Sequence, residues 1–204
     1  MIIEFFGLPG SGKSSIARKV SENSEFKLIK IRSRTELIKF NILFFIKNPY
    51  KFIWLFLLIV KNSSGLFDFY YKFMNSFLDY NAKLEKASRE EYAIIDQGYF
   101  QNVLAVYKRE IDKSVLRQYL KEIKKPDFLI IVDLDKKKRQ ERIIERGHGV
   151  KNVYSDKESD RWTERAEKSY QFFKENIKDL YSNYLIIDSS DSIEDTSKKI
   201  IDLI

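Results

Sequence analysis

Gly7-Leu8-Pro9-Gly10-Ser11-Gly12-Lys13-Ser14 satisfies G-x-x-x-x-G-K-[ST] at every fixed position, between the apolar run "IIEFF" and the helix-forming stretch "KSSIARKVSE". No other feature constrains the chain as much, because strand, loop and helix in that order are the context in which such a loop works. Glycines let the backbone curl until successive N–H groups point inward at one anion. The helix that follows adds the partial positive charge of its N-terminus. A phosphate is the anion that fits. Gly7, Pro9, Gly10, Ser11, Gly12, Lys13, Ser14 and Ser15 are therefore expected to hold the phosphates of a nucleotide. Lys13 is expected to reach the β- and γ-phosphates and Ser14 to ligate Mg²⁺.

The rest of the chain alternates strand and helix patterns. "YAIID" (92–96), "FLIIVD" (128–133) and "YLIID" (184–188) read as buried strands, and "FKLIKIR" (26–32) as a weaker one. Helices are expected over about 66–88, 99–109, 113–124, 135–146, 161–179 and 192–203, with a polar loop over 147–160. In the first of these, Leu66, Phe69, Phe73, Phe77, Tyr80 and Leu84 recur at spacings of three and four, which reads as a core stripe. Such alternation predicts an α/β chain with a parallel sheet covered by helices on both faces. At 204 residues, with three prolines, seven glycines and no low-complexity linker, one domain over 1–204 is expected.

Residues 40–60, "FNILFFIKNPYKFIWLFLLIV", approach the length of a membrane span, but Lys47 and Lys51 sit in the middle, where charge is costly in lipid. Asn48-Pro49 is a turn signal. Two short helices, about 36–47 and 50–61, are expected with a bend between them and no transmembrane segment. Three readings stand for their apolar surface: core packing, a cover over a substrate pocket, or a homodimer or membrane-surface contact.

Asp96 ends the strand "YAIID", and the carboxyl ends of parallel strands line the ligand crevice. A carboxylate there can hold Mg²⁺ or take a proton from an acceptor hydroxyl; capping the next helix is the plainer alternative. Gln97 stands where motor-type ATPases carry a water-activating glutamate, which speaks against a hydrolysis engine, and Gly98 would let the backbone approach a ligand. Arg139, Arg142 and Arg146 share one face of the charged helix, followed by Gly147, His148 and Gly149. Together they suit a lid, about 136–160, that closes on a transferring phosphoryl group, with a solvated basic face paired to Glu141 and Glu145 as the alternative.

Composition excludes several classes. With no cysteine and one histidine, the chain has neither disulfides nor thiolate or histidine metal clusters. The short apolar start lacks a basic leader, so no secretory signal and a cytoplasmic location are expected. A net charge of +7 points to an anionic partner, yet no nucleic-acid module is visible. Neither N-K-x-D nor a D-x-x-G after the second clear strand supports GTP switching.

"GLPGSGKS", "AIIDQG", "KPDFLIIVDLD" with "RQERIIERG", and the final "YLIIDSS" follow one another as in a known family. The chain resembles P-loop nucleoside and nucleotide kinases, closest in layout to thymidylate kinases, over most of its length except 36–90. The resemblance implies a three-layer P-loop fold with a five-stranded parallel sheet of order 2-3-1-4-5. It also implies ATP as donor, Mg²⁺, an arginine lid and a small-molecule acceptor. Thymidylate kinases follow the strand acid with arginine, where this chain has Gln97. A helical insertion, about 36–90, replaces the region that shapes their acceptor pocket. "IRSRTE" (31–36) is similar only loosely to their arginine-bearing segment, which makes Arg32, Arg34, Gln97 and Gly98 the candidate acceptor contacts. In this reading Lys13, Asp96, Arg142 and Arg146 do the chemistry, Ser14 and Asp96 hold the metal, and Arg139 assists nucleotide binding. The leading acceptor is a nucleotide or nucleoside, then a sugar or other small alcohol. A nucleotide-dependent binding module, which presents residues 40–60 to a partner or membrane, is the alternative. An enclosed pocket there would favour the kinase and an open patch the module.

Overall fold

The computed structural model describes residues 1–145 and 156–204, the side chains of 156–160 excepted. Five strands form one parallel sheet: β1 (Ile2–Phe6), β2 (Lys27–Leu28), β3 (Ala93–Ile95), β4 (Phe128–Asp133) and β5 (Tyr184–Asp188), in the order β2-β3-β1-β4-β5. This is the order implied by the family resemblance. β1 lies in the middle, and its Ile3, Phe5 and Phe6 are fully enclosed.

Strand alternation divides the core. Ile3 and Phe5 meet Ile94, Ile130, Val132, Ile16, Val20 and Ile200 on one face, which α1 (Lys13–Glu22) and the C-terminal helix Ile193–Ile201 cover together. Phe6, Ile95, Leu129 and Ile131 point to the other face, against Tyr99, Tyr119, Tyr170 and Phe173.

That second face carries the insertion. α2 (Arg34–Lys47) and α3 (Pro49–Asn62) meet at a bend of 116°. Asn48 ends one helix and opens the next, and Pro49 occupies the first turn of α3, where a missing N–H costs nothing. Ser33 caps α2 by accepting from the Glu36 amide at 3.1 Å, and Glu36 reaches back to the Arg32 amide at 2.6 Å, much as in a capping box. α4 (Leu66–Lys72), a π-helical turn at Phe73–Leu78 and α5 (Asp79–Ala87) make the long aromatic helix. Phe69, Phe73 and Phe77 stack along it at 5.6 and 5.4 Å, and Phe52 of α3 closes on Phe77 at 4.7 Å. The stripe is core from Phe69 onward. Leu66 is 90 % exposed, because the helix start projects past its neighbours.

Three spans differ from expectation. β2 is two residues long rather than seven: Lys27 and Leu28 pair with Ala93 and Ile94, and the last bond to β3 is from the Ile29 amide to the Ile94 carbonyl at 2.8 Å. The helix expected over 99–109 is a 3₁₀ turn at Tyr99–Gln101 and α6 (Asn102–Ala105), after which the chain runs irregularly to α7 (Lys113–Glu122), capped by Asp112. α8 (Lys136–Glu145) follows β4, and α9 (Asp156–Asn176) starts earlier than 161, so 156–160 are helical rather than loop. The C-terminal helix is α10. Arg146, Gly147, His148 and Gly149 lie outside the described residues.

Candidate active site

β1 ends at Phe6, and the loop that follows wraps the N-terminus of α1. Gly10 and Gly12 have φ of +82° and +89°, a left-handed conformation open to glycine without strain. A Cβ on Gly10 would stand 2.6 Å from the Arg139 carbonyl oxygen, and one on Gly7 2.7 Å from that of Val132. Gly10→Ala is therefore expected to cost about 2 kcal/mol or more from the positive φ and the immovable carbonyl, and to abolish nucleotide binding. Thermal melting and ADP titration check both.

No side chain caps α1: Gly12 is its N-cap and accepts from the Ser15 and Ile16 amides through its carbonyl. The N-terminus of α1 is thus left without a side-chain acceptor, as an anion site requires. Ser11 Oγ is buried and has no protein hydrogen-bond partner. Lys13 is buried, with Nζ 3.4 Å from the Leu8 carbonyl, so its ammonium lies over the loop. Ser14 and Ser15 are partly exposed beside it.

Residues distant in sequence fix this loop. The buried Gln101 side chain donates to the Gly7 carbonyl at 3.2 Å and accepts from the Gly7 amide at 3.4 Å. Ser189, just past β5, donates to the Ser11 carbonyl at 2.7 Å. Neither showed in the sequence; both are small polar residues whose role depends on a partner 94 or 178 positions away.

Asp96 leaves β3 one strand over from the loop, since the register pairs Glu4 with Ile95. Lys83 of α5 lies 3.3 Å from Asp96 and 2.9 Å from Asp79. Burial works against the Lys83 charge, but the two carboxylates more than offset it, so its pKa stands above the ordinary lysine value. The lysine holds Asp96 in place just past the C-terminal end of β3.

Beneath them lies Glu4, 2 % exposed. Its carboxylate accepts from the Phe100 amide at 2.7 Å. A Cβ on Gly98 would meet the same carboxylate at 2.7 Å. The close approach that Gly98 permits is thus to Glu4. Burial pushes the Glu4 carboxyl up to about 8, although the amides of Phe100, Gln101 and Gly98 and the charge of Lys83 pull it down.

The arginines divide. Arg139 is buried: Nε donates to the Leu134 carbonyl at 3.0 Å and Nη2 meets Glu167 at 2.5 Å. Its guanidinium is engaged in joining α8 to α9. Arg142 donates to the Ser189 carbonyl at 3.0 Å and lies over Gly12, 3.3 Å from where a Cβ would stand. With Gly12, Ile16, Ser192 and Ile193 it lines a cavity of about 300 Å³ on the outer side of the loop. Arg32 and Arg34 are exposed at the start of α2. Gln97 is half-buried beside Asp96.

Among the described residues no cluster of three metal-ligating side chains exists. The Ser14 hydroxyl and the Asp96 carboxylate are donor types that Mg²⁺ takes together with phosphates and water rather than in an all-protein cage.

The family model for thymidylate kinase matches residues 73–200, more than half of the chain. No curated protein sequence matches it. Among solved structures, the fold is similar to deoxyadenosine kinase from M. mycoides at a TM-score of 0.60 and 19% identity, over 100% of this chain and 98% of that one. It is also similar to thymidylate kinase from Candida albicans at 0.57 and 16%, over 100% and 90%. At such identities the likeness to these structures is one of fold.

Proposed function

Because this chain belongs to the thymidylate kinase family, a phosphotransferase family, we propose that it moves the γ-phosphoryl group of ATP, with Mg²⁺, to a nucleotide or nucleoside. The observation that carries this reading is the loop: left-handed Gly10 and Gly12, an uncapped α1 and an enclosed Lys13 over one hollow. Ser14 and Asp96 would hold Mg²⁺, which would supply positive charge to offset that of the transferring group. Lys13 stabilises the same charge from the protein side. Asp96, held by Lys83, orients the acceptor oxygen and, where that oxygen is a hydroxyl, receives its proton. Arg142 and the outer cavity hold the donor's base, and Arg139 braces the lid helix. Positioning and preorganised charge carry most of the rate enhancement.

A cavity of about 540 Å³ between α4, α6 and α9 supports a phosphorylated acceptor. Lys72, Lys108, Arg161 and Arg165 stand on its wall with Phe67 and Trp162. Burial lowers the Lys72 pKa and, although Asp68 opposes this, nearby Arg165 and Lys108 add to it. An anion placed there relieves that crowding, and the aromatic rings offer a surface to a planar base. The test is ADP release with a panel of nucleosides, nucleoside monophosphates and sugars, with product mass recorded. A monophosphate is expected to gain one phosphoryl group. Phosphorylation of a sugar alone would displace the nucleotide reading, and ATP binding with no productive acceptor would count against the kinase.

The alternative of a nucleotide-dependent binding module has one observation in its favour. The outer faces of α2 and α3 are open to solvent rather than folded round a closed pocket.

A further inference from the structure

α2 and α3 are apolar on two sides. Phe40, Phe44, Leu55 and Ile59 face the core. Ile38, Ile42, Phe45 and Ile46 on α2, and Ile53, Leu57 and Val60 on α3, are exposed at spacings of three, four and one. Ile46 and Tyr50, each about two-thirds exposed, flank the bend. A helix apolar all round normally lies inside a protein or in lipid, and contiguous exposed apolar surface marks an interaction site. An apolar hollow of about 390 Å³, lined by Ile38, Ile42, Phe45 and Phe52, opens on the same face.

Charge is segregated to this element. Residues 30–67 contain Lys30, Arg32, Arg34, Lys39, Lys47, Lys51 and Lys61 against the single carboxylate Glu36, a net of +6 out of the chain's +7. From 37 to 67 there is no carboxylate at all. Lys47 pairs with Glu85 at 2.5 Å and Lys51 donates to the Ile123 carbonyl, while Lys39 and Lys61 are exposed on the helices. A second copy of the chain would fit poorly, because a two-fold contact sets a patch against itself and brings its exposed cations, Lys39 and Lys61 among them, towards one another. Among the described residues no single helix is long and apolar enough to cross a membrane.

The geometry points to peripheral docking on an anionic lipid bilayer, with the α2–α3 corner set into the headgroup–acyl boundary and the basic residues on the lipid phosphates. Apolar insertion supplies the contact and the cations select the acidic surface. This inference is independent of the phosphoryl acceptor, so a failure of either leaves the other standing.

The absence of cysteine allows a clean probe. Ile46→Cys, labelled with an environment-sensitive dye, is mixed with vesicles of phosphatidylcholine alone or with about one third phosphatidylserine. Blue-shifted emission and co-sedimentation are expected only with the acidic vesicles, weakening as salt rises and persisting in millimolar inorganic phosphate. In unlabelled protein, the pair Ile42→Glu/Ile46→Glu and, separately, Lys39→Glu/Lys61→Glu are each expected to reduce vesicle binding at least tenfold with an unchanged melting temperature. The lysine pair retains the apolar surface, so it remains informative if the first pair unfolds. Equal binding to neutral vesicles, binding to neither, or a dye shift that tracks protein concentration without lipid overturns the proposal. The last outcome would assign the face to a second copy.

Discussion

Lys13→Ala is expected to lower phosphoryl transfer by on the order of 10²–10³-fold in kcat, as removal of one preorganised charge from a developing anion does. The ammonium is enclosed near the Leu8 carbonyl, beside a helix N-terminus that no side chain caps. Little reorganisation is left for the moment of reaction, which is why the charge is worth more here than in water. Single-turnover measurement of labelled ATP separates the chemical step from binding. A variant with unchanged kcat would remove Lys13 from the chemistry. Circular dichroism melting guards against a trivial cause, since the side chain is buried.

Glu4→Gln is expected to change how stability depends on pH. The folded carboxyl has a pKa raised from its ordinary 4.5 to about 8, chiefly by burial. Between those values the folded chain keeps a proton that the unfolded chain has lost. Stability contributed by this group therefore falls as pH rises through the window and levels off above about 8. The slope from one such group is at most about 1.4 kcal/mol per pH unit, or about 3–5 °C in melting temperature for a chain of this size. Glutamine keeps an acceptor for the Phe100 amide without the titration. The wild-type minus variant difference in Tm is thus expected to fall steadily from pH 5 to 8. Parallel curves would show that Glu4 does not titrate in that range. Activity has reason to follow, because Glu4 supports the Gly98–Gln101 turn and Gln101 in turn holds Gly7.

The glycine-rich loop between β1 and α1 was legible because its physics is local: strand, curled backbone and helix N-terminus lie within one stretch of chain. The four longer strands were legible for a similar reason, as each is a short apolar run bounded by turns. β2 was overestimated because edge pairing depends on a neighbour's length, which alternation of residue types does not encode. Arg139 shares a helical face with Arg142 by spacing, and its expected part in nucleotide binding came from the family resemblance. Its burial against Leu134 and Glu167 is set by how α9 crosses α8, a relation invisible to periodicity.

By itself, then, the sequence determined the α/β alternation, the glycine-rich turn from β1 into α1, Asp96 at a strand end and the bend at Asn48–Pro49. Each follows from backbone preferences and contacts over a few residues. Tertiary structure alone decided that Glu4 lies under Gly98, that Lys83 holds Asp96, that Gln101 and Ser189 fix the loop, and that α2 and α3 bury one apolar face while exposing another. Those outcomes depend on which distant surfaces meet, and burial and electrostatics act only after they have met.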